Sequence, residues 1–185
     1  MPENPVKKVE TIIISSLILI VIVCGIFCFA LGYRRLYFLF VTFLMVLYHI
    51  LMRASVPRVL SIVHRGPFNP DNLWFRTKSF EKAIYKFFQV KKWKDSLITY
   101  EPESFSLRTS SPERILQSMC IAETIHFSLI CGSLIYILFG FIFGKLWIFI
   151  LTGTISIIFE CRFIMAQRYN RPRVKELIRK RSIRK

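Results

Sequence analysis

Acidic side chains are scarce in this chain. Its 185 residues carry 11 Asp and Glu against 27 Lys and Arg, a formal net charge of +16, so an anionic partner is expected. Metal and disulfide chemistry lack their usual signatures: Cys24, Cys28, Cys120, Cys131 and Cys161 lie in or beside apolar stretches and form no C-x-x-C, which predicts neither a zinc site nor a disulfide framework. Several catalytic motifs are missing as well. No His is followed by Asp five positions on, as soluble-type glycerolipid acyltransferases require, and there is no G-x-S-x-G, P-loop or G-x-G-x-x-G,. No cofactor is expected. No nucleic-acid-binding motif accompanies the basic residues, which flank apolar runs, so anionic lipid headgroups or lipid-linked substrates are the expected partners and nucleic acid is not. Internal repeats and low-complexity tracts are absent.

What the chain has in abundance is apolar sequence, 54% of its residues. A soluble domain of this length would distribute it in short periodic segments; long runs joined by basic loops describe membrane spans. Residues 11–32 carry no charge, enough at about 1.5 Å per helical residue to cross a hydrocarbon core of about 30 Å. Lys7 and Lys8 before this run, with Cys28 and Ala30 near its end, also permit a signal-peptide reading, although the apolar part exceeds the usual roughly 7–15 residues. After Arg34 and Arg35, residues 36–52 are apolar except for His49; this second span is short, and a re-entrant or tilted segment is its alternative. Residues 119–143 and 146–166 form a helical hairpin about Gly144 and Lys145, with Pro112 and Glu113 suited to the helix start,. The expected fold is therefore all-α: a single integral membrane domain, residues 1–185, with about four transmembrane helices.

Between spans two and three lies a polar loop, residues 53–114, in which Pro57, Pro67, Pro70, Pro102 and Pro112 should interrupt any long helix,. Within it Phe80, Ala83, Ile84, Phe87 and Phe88 recur at helical spacing opposite Glu81, Lys82, Lys86 and Gln89. This predicts an amphipathic helix, lying either in the membrane interface or on the protein's own surface. The loop holds twelve Lys and Arg against six Asp and Glu, and the tail from Arg162 holds ten against one. By the positive-inside rule the loop, the N-terminus and the basic tail, residues 167–185, are cytoplasmic in a multi-pass protein of the cell membrane.

That topology gathers three polar clusters on one face. Lys92, Trp93 and Lys94 lie in the loop, Glu123 and His126 at the entrance of the third span, and Gln167-Arg168-Tyr169-Asn170-Arg171-Pro172-Arg173 after the fourth. Glu123 and His126 are three apart, hence on one helical face, where a carboxylate can orient an imidazole and raise its basicity; a polar pair joining two helices is the bland alternative. Pro172 is expected to break the helix and leave Arg168, Arg171 and Arg173 as guanidinium forks for phosphate or carboxylate, where otherwise a basic tail would rest on anionic lipid. His49 reads as a satisfied interior histidine and His64 as an ordinary loop residue.

Lys92-Trp93-Lys94, Ala122-Glu123-x-x-His126 and the run Gln167 to Arg173, in this order and spacing, resemble the bacterial glycosyl-4,4'-diaponeurosporenoate acyltransferases. The resemblance extends from about Phe75 to the C-terminus. Ile121 stands where that family usually has a basic residue and Phe127 where it has Trp, while Glu160 and Arg162 have no counterpart in the pattern. The resemblance implies esterification of a fatty acyl group onto a sugar hydroxyl of a glycosylated carotenoid, as in staphyloxanthin synthesis, or of a similar glycolipid. It implies an acyl donor, acyl-CoA or acyl carrier protein, and a lipid-soluble glycosylated acceptor. On this reading His126 and Glu123 are catalytic, and Lys92, Trp93, Lys94, Arg168, Tyr169, Asn170, Arg171 and Arg173 bind substrate. Two other classes stay open: a non-catalytic membrane protein whose basic face binds anionic lipid or a partner enzyme, and an integral membrane methyltransferase or reductase.

Overall fold

The computed structural model describes residues 5–97 and 102–183, with no side-chain detail for residues 5–8. Arg184 and Lys185 of the basic tail, loop residues 98–101 and the side chains of Lys7 and Lys8 thus lie outside the described residues. Among the described residues six α-helices follow in chain order: α1 (Pro5–Gly25), α2 (Tyr37–Val63), α3 (Glu81–Phe87), α4 (Val90–Trp93), α5 (Pro112–Phe143) and α6 (Leu146–Ile183). Among the described residues there is no strand. Four stretches of the described residues are long and apolar enough to cross a membrane: Val9–Ala30, Arg34–Val63, Pro112–Phe143 and Leu146–Ile183. Their outer surfaces are rich in exposed Ile, Leu, Val and Phe, a surface that suits lipid as solvent.

The chain forms two compact units. One holds the described residues up to Val59 with Gly132–Gly153. Its core is built from Val41 and Met45 of α2, Tyr136 of α5, and Ile148 and Phe149 of α6. Gly132 is required here: an added Cβ would stand 2.0 Å from the Met52 side chain, and the close approach lets the Tyr48 hydroxyl donate to the Gly132 carbonyl at 3.0 Å. The α5–α6 hairpin turns at Gly144 and Lys145, with φ of +70° and +58°. The Tyr37 hydroxyl closes the end of α5 by donating to the Phe143 carbonyl at 2.6 Å.

The other unit holds Leu60–Cys131 and the chain from Thr154 onward. Two expectations about proline are corrected, one in each unit. Pro172 does not break the helix: α6 continues through it to Ile183. A proline removes one N–H and crowds the carbonyl four residues earlier, but side-chain bonds of Arg168 and Arg171 to Glu81 and Glu123 anchor the helix before it, and the Lys175 pair with Asp71 anchors it after. Pro57 likewise lies inside α2, where Arg58 Nη1 donates to the Ala54 carbonyl at 2.9 Å.

The predicted amphipathic helix is shorter than its periodicity suggests. Gln89 takes a left-handed conformation, φ +50°, which separates α3 from α4. The faces of α3 also differ from the expected ones: Glu81 is buried, whereas Phe80, Phe87 and Phe88 are 61%, 80% and 53% exposed alongside exposed Lys82 and Lys86.

Candidate active site

The loop before α3 is held by side chains from the long helices. Gln117 of α5 grips Phe68 at both ends of its peptide group, accepting from its N–H and donating to its carbonyl, each at 2.8 Å. Lys175 of α6 donates to the Pro70 carbonyl at 2.8 Å and to Asp71 at 2.7 Å. That hydrogen bond and the ammonium charge lower the Asp71 carboxyl below its ordinary pKa.

Deeper in the unit, Arg168 and Arg171 are held by carboxylates and main-chain carbonyls, with the buried Arg171 Nε left without a partner. Arg168 reaches Glu81 at 2.5 Å and Glu123 at 2.6 Å, and also donates to the carbonyls of Trp74 and Arg76, each at 2.9 Å. Arg171 pairs with the other oxygen of Glu123 and donates to the Phe75 carbonyl at 2.9 Å. Glu81, Glu123 and Arg171 are all buried. Two guanidiniums against two carboxylates leave this network without net charge, the condition under which buried charges are tolerated. Burial opposes ionisation of Glu81, but hydrogen bonds from Arg168, Tyr85 and the Lys78 backbone hold its carboxyl below its ordinary pKa. Burial and the bond to Glu81 push the Tyr85 phenol up, so it remains protonated and donates to Glu81 at 2.5 Å.

His126 is partnered differently from the expectation. Its Nδ1 lies 2.6 Å from Glu160 Oε2, across from α5 to α6, while Glu123 is committed to the two arginines. The i, i+3 spacing places Glu123 and His126 on one face, but two guanidiniums outcompete an imidazole for the same carboxylate. Glu160 is 1% exposed, and the ring of Phe163 stacks on His126 at 4.5 Å with an interplanar angle of 8°. In the tautomer that donates from Nδ1 to the Glu160 carboxylate, Nε2 keeps its lone pair,. The arrangement is a carboxylate-oriented imidazole, chemically suited to accept a proton from a hydroxyl.

The remaining predicted residues fall into smaller groups. Trp93 donates from its indole nitrogen to the Phe88 carbonyl at 2.8 Å and lies under the Arg162 guanidinium at 5.2 Å. Lys94 pairs with Asp95, Lys92 is exposed and Asn170 is half-buried. Tyr169 meets Tyr85 edge to face at 5.4 Å, and exposed Arg173 lies over the Tyr169 ring at 4.6 Å while donating to its hydroxyl at 3.0 Å. Glu81 and Glu160 were missed as site members by sequence reasoning. Glu160 had a usable signal, an ionisable side chain inside an apolar run; Glu81 had none, since periodicity assigned it to a solvated face.

A model of the glycosyl-4,4'-diaponeurosporenoate acyltransferase family matches residues 71–180, more than half of the 185 residues. The chain belongs to that family. It is an acyltransferase of carotenoid biosynthesis, and its match begins at Asp71, where Lys175 ties down the loop, and includes Glu81, Glu123, His126, Glu160, Arg168 and Arg171. An acyltransferase of this kind needs an acyl donor and a glycosylated acceptor. No curated protein and no solved structure matches the chain.

Proposed function

We propose that this acyltransferase is a multi-pass membrane enzyme that transfers a fatty acyl group from acyl-CoA or acyl carrier protein to a sugar hydroxyl of a glycosylated carotenoid or similar glycolipid. His126 is its general base. The observation that carries this reading is the 2.6 Å contact of His126 Nδ1 with buried Glu160. Glu160 takes the orienting role that the sequence suggested for Glu123. The sugar oxygen attacks the thioester carbonyl carbon as its proton passes to His126 Nε2; the C–S bond of the tetrahedral intermediate then breaks, and the imidazolium returns the proton to the departing thiolate. Glu160 stabilises the imidazolium between these steps. No enzyme nucleophile is needed.

Arg168 and Arg171 act here as positioning residues, because Arg168 spends its donors on Glu81, Glu123 and the Trp74 and Arg76 carbonyls and buried Arg171 is held by Glu123 and the Phe75 carbonyl. Exposed Lys92 and Arg173 are the better candidates for the anionic part of the donor. In membranes carrying equal amounts of inserted protein, His126→Ala should lose at least about a hundredfold in turnover, the lower end of general-base assistance. Glu160→Gln should lose less, with acceptor KM little changed. Near wild-type turnover by His126→Ala would falsify the assignment and favour a scaffold whose basic face binds lipid or a partner enzyme.

A further inference from the structure

The same unit carries an open groove of about 440 Å³ that the proposed reaction does not yet use. Aromatic surface dominates it. Trp74 and Phe127, which meet edge to face with ring centroids 4.7 Å apart, are 46% and 40% exposed. His64 and Phe68, stacked with centroids 3.9 Å apart, form another part of the lining. Its remaining polar side chains are neutral: Asn69, Asn72 and Thr124. Among the described residues, no Asp, Glu, Lys or Arg lines it.

The two asparagines are set in a particular way. Asn69 Oδ1 accepts from the Asp71 N–H at 2.9 Å, and Asn72 Oδ1 accepts from the Trp74 N–H at 3.1 Å. Each amide oxygen is therefore fixed by its own turn, which orients the –NH2 group as a donor for something else. The wall itself is pinned from behind by Arg168 on the Trp74 carbonyl and Arg171 on the Phe75 carbonyl. Rigid aromatic faces with a few fixed amide donors and no charge suit a neutral polyol: the C–H faces of a pyranose lie on aromatic rings, and its hydroxyls accept from amides. They do not suit the phosphates of a nucleotide-bearing acyl donor, which call for Arg or Lys.

We infer that this groove binds the sugar of the glycosylated acceptor, with Trp74 and Phe127 as the stacking surface and Asn69 and Asn72 as hydroxyl-binding donors. The inference deepens the proposed acyl transfer and rests on it for the identity of the acceptor, whereas recognition of a sugar rests on the groove alone. Thr124 and Phe127 bracket His126 on α5, so the sugar is held by the helix that carries the base.

The test is binding without turnover. Full-length protein in lipid nanodiscs is titrated with methyl β-glucoside, and separately with coenzyme A, while tryptophan emission is followed. The glucoside should give a saturable change that disappears in Trp74→Phe, and coenzyme A should not reproduce it. Ser at Asn69 and Asn72 keeps a turn-forming oxygen but removes the –NH2 donors, so the double variant Asn69→Ser/Asn72→Ser should bind about tenfold more weakly, as expected for lost hydrogen bonds. With the physiological acceptor the same variant should raise acceptor KM about tenfold and leave donor KM unchanged. His126→Ala should bind the glucoside as wild type does while losing transfer, so the catalytic and binding assignments fail separately. No saturable response in the wild type, or one that persists undiminished in both groove variants, overturns the sugar site.

Discussion

At the scale of single residues, the feature with the largest energetic consequence is the buried pairing of Glu81 and Glu123 with Arg168 and Arg171. Removing one member of such a set leaves an uncompensated buried charge, which typically costs about 3–5 kcal/mol. Glu81 also couples the unit to pH. Its folded pKa is depressed, so its contribution is fully present above its unfolded pKa of about 4.3 and is lost as pH falls through the lower folded value. Melting followed from pH 7 down to 3 should therefore show an acid-side loss of stability that is smaller in Glu81→Gln; an equally steep loss in that variant would mean that other carboxylates carry it. The pairing within this cluster was only half legible in the sequence. Spacing brings Glu123 and His126 onto one helical face, but partner choice depends on which side chains arrive from α6 and the loop, and Glu81, Arg168 and Arg171 lie 42, 45 and 48 positions from Glu123. Glu160 is 34 positions from His126, a distance at which local periodicity carries no information.

Among the elements, α3 is the one whose surface contradicts a water-facing environment. Its charged Glu81 points inward to Arg168 and Tyr85, and Phe80, Phe87 and Phe88 are left exposed. An exposed aromatic cluster flanked by Lys82 and Lys86 fits the boundary between lipid headgroups and acyl chains, where apolar rings sink and ammonium groups stay with phosphates. Phe87→Trp, placed in a background lacking the three native tryptophans by Trp→Phe substitution, should emit at short wavelength in bilayers and be strongly quenched by brominated acyl chains. Emission typical of water, with no quenching, would put α3 in solvent. The sequence showed that this segment was helical, since that property is periodic. It did not show which face the protein takes, because a buried carboxylate is recognised only with its guanidinium in view. The same limit explains Pro172: the residue taken alone predicts a break, while the anchors that hold α6 before and after it lie in α3, in α5 and at Asp71.

On the scale of the whole molecule, the chain is a set of helices whose apolar lengths were legible from hydropathy and whose ends were not. Residues 36–52 are continued by helix to Val63, and residues 146–166 by helix to Ile183, because a helix does not stop where its side chains become polar if other contacts hold it. Orientation in the membrane then depends on charge. The loop of residues 53–114 carries a net +6 (twelve basic less six acidic) and the chain from Arg162 a net +9 (ten less one), against one Lys at the α5–α6 turn. Charges beside span ends are retained on the cytoplasmic side, so the loop with α3, the N-terminus and the C-terminal basic residues are predicted to face the cytoplasm, and the turns near Gly32 and Lys145 to face outward. Reporter fusions after Gly32 and after Lys145 should both give an external signal, and fusions within the loop near Asn69 and at the C-terminus an internal one. This arrangement has a chemical consequence: acyl-CoA and acyl carrier protein are cytoplasmic, so His126, Lys92 and Arg173 must be reachable from that side for the proposed transfer to draw on either donor. An internal signal at Lys145 would reverse the hairpin and remove His126 from the donor's compartment. The esterification would then need a donor that reaches the external face, and the assignment of Lys92 and Arg173 to a soluble thioester would fall with the topology.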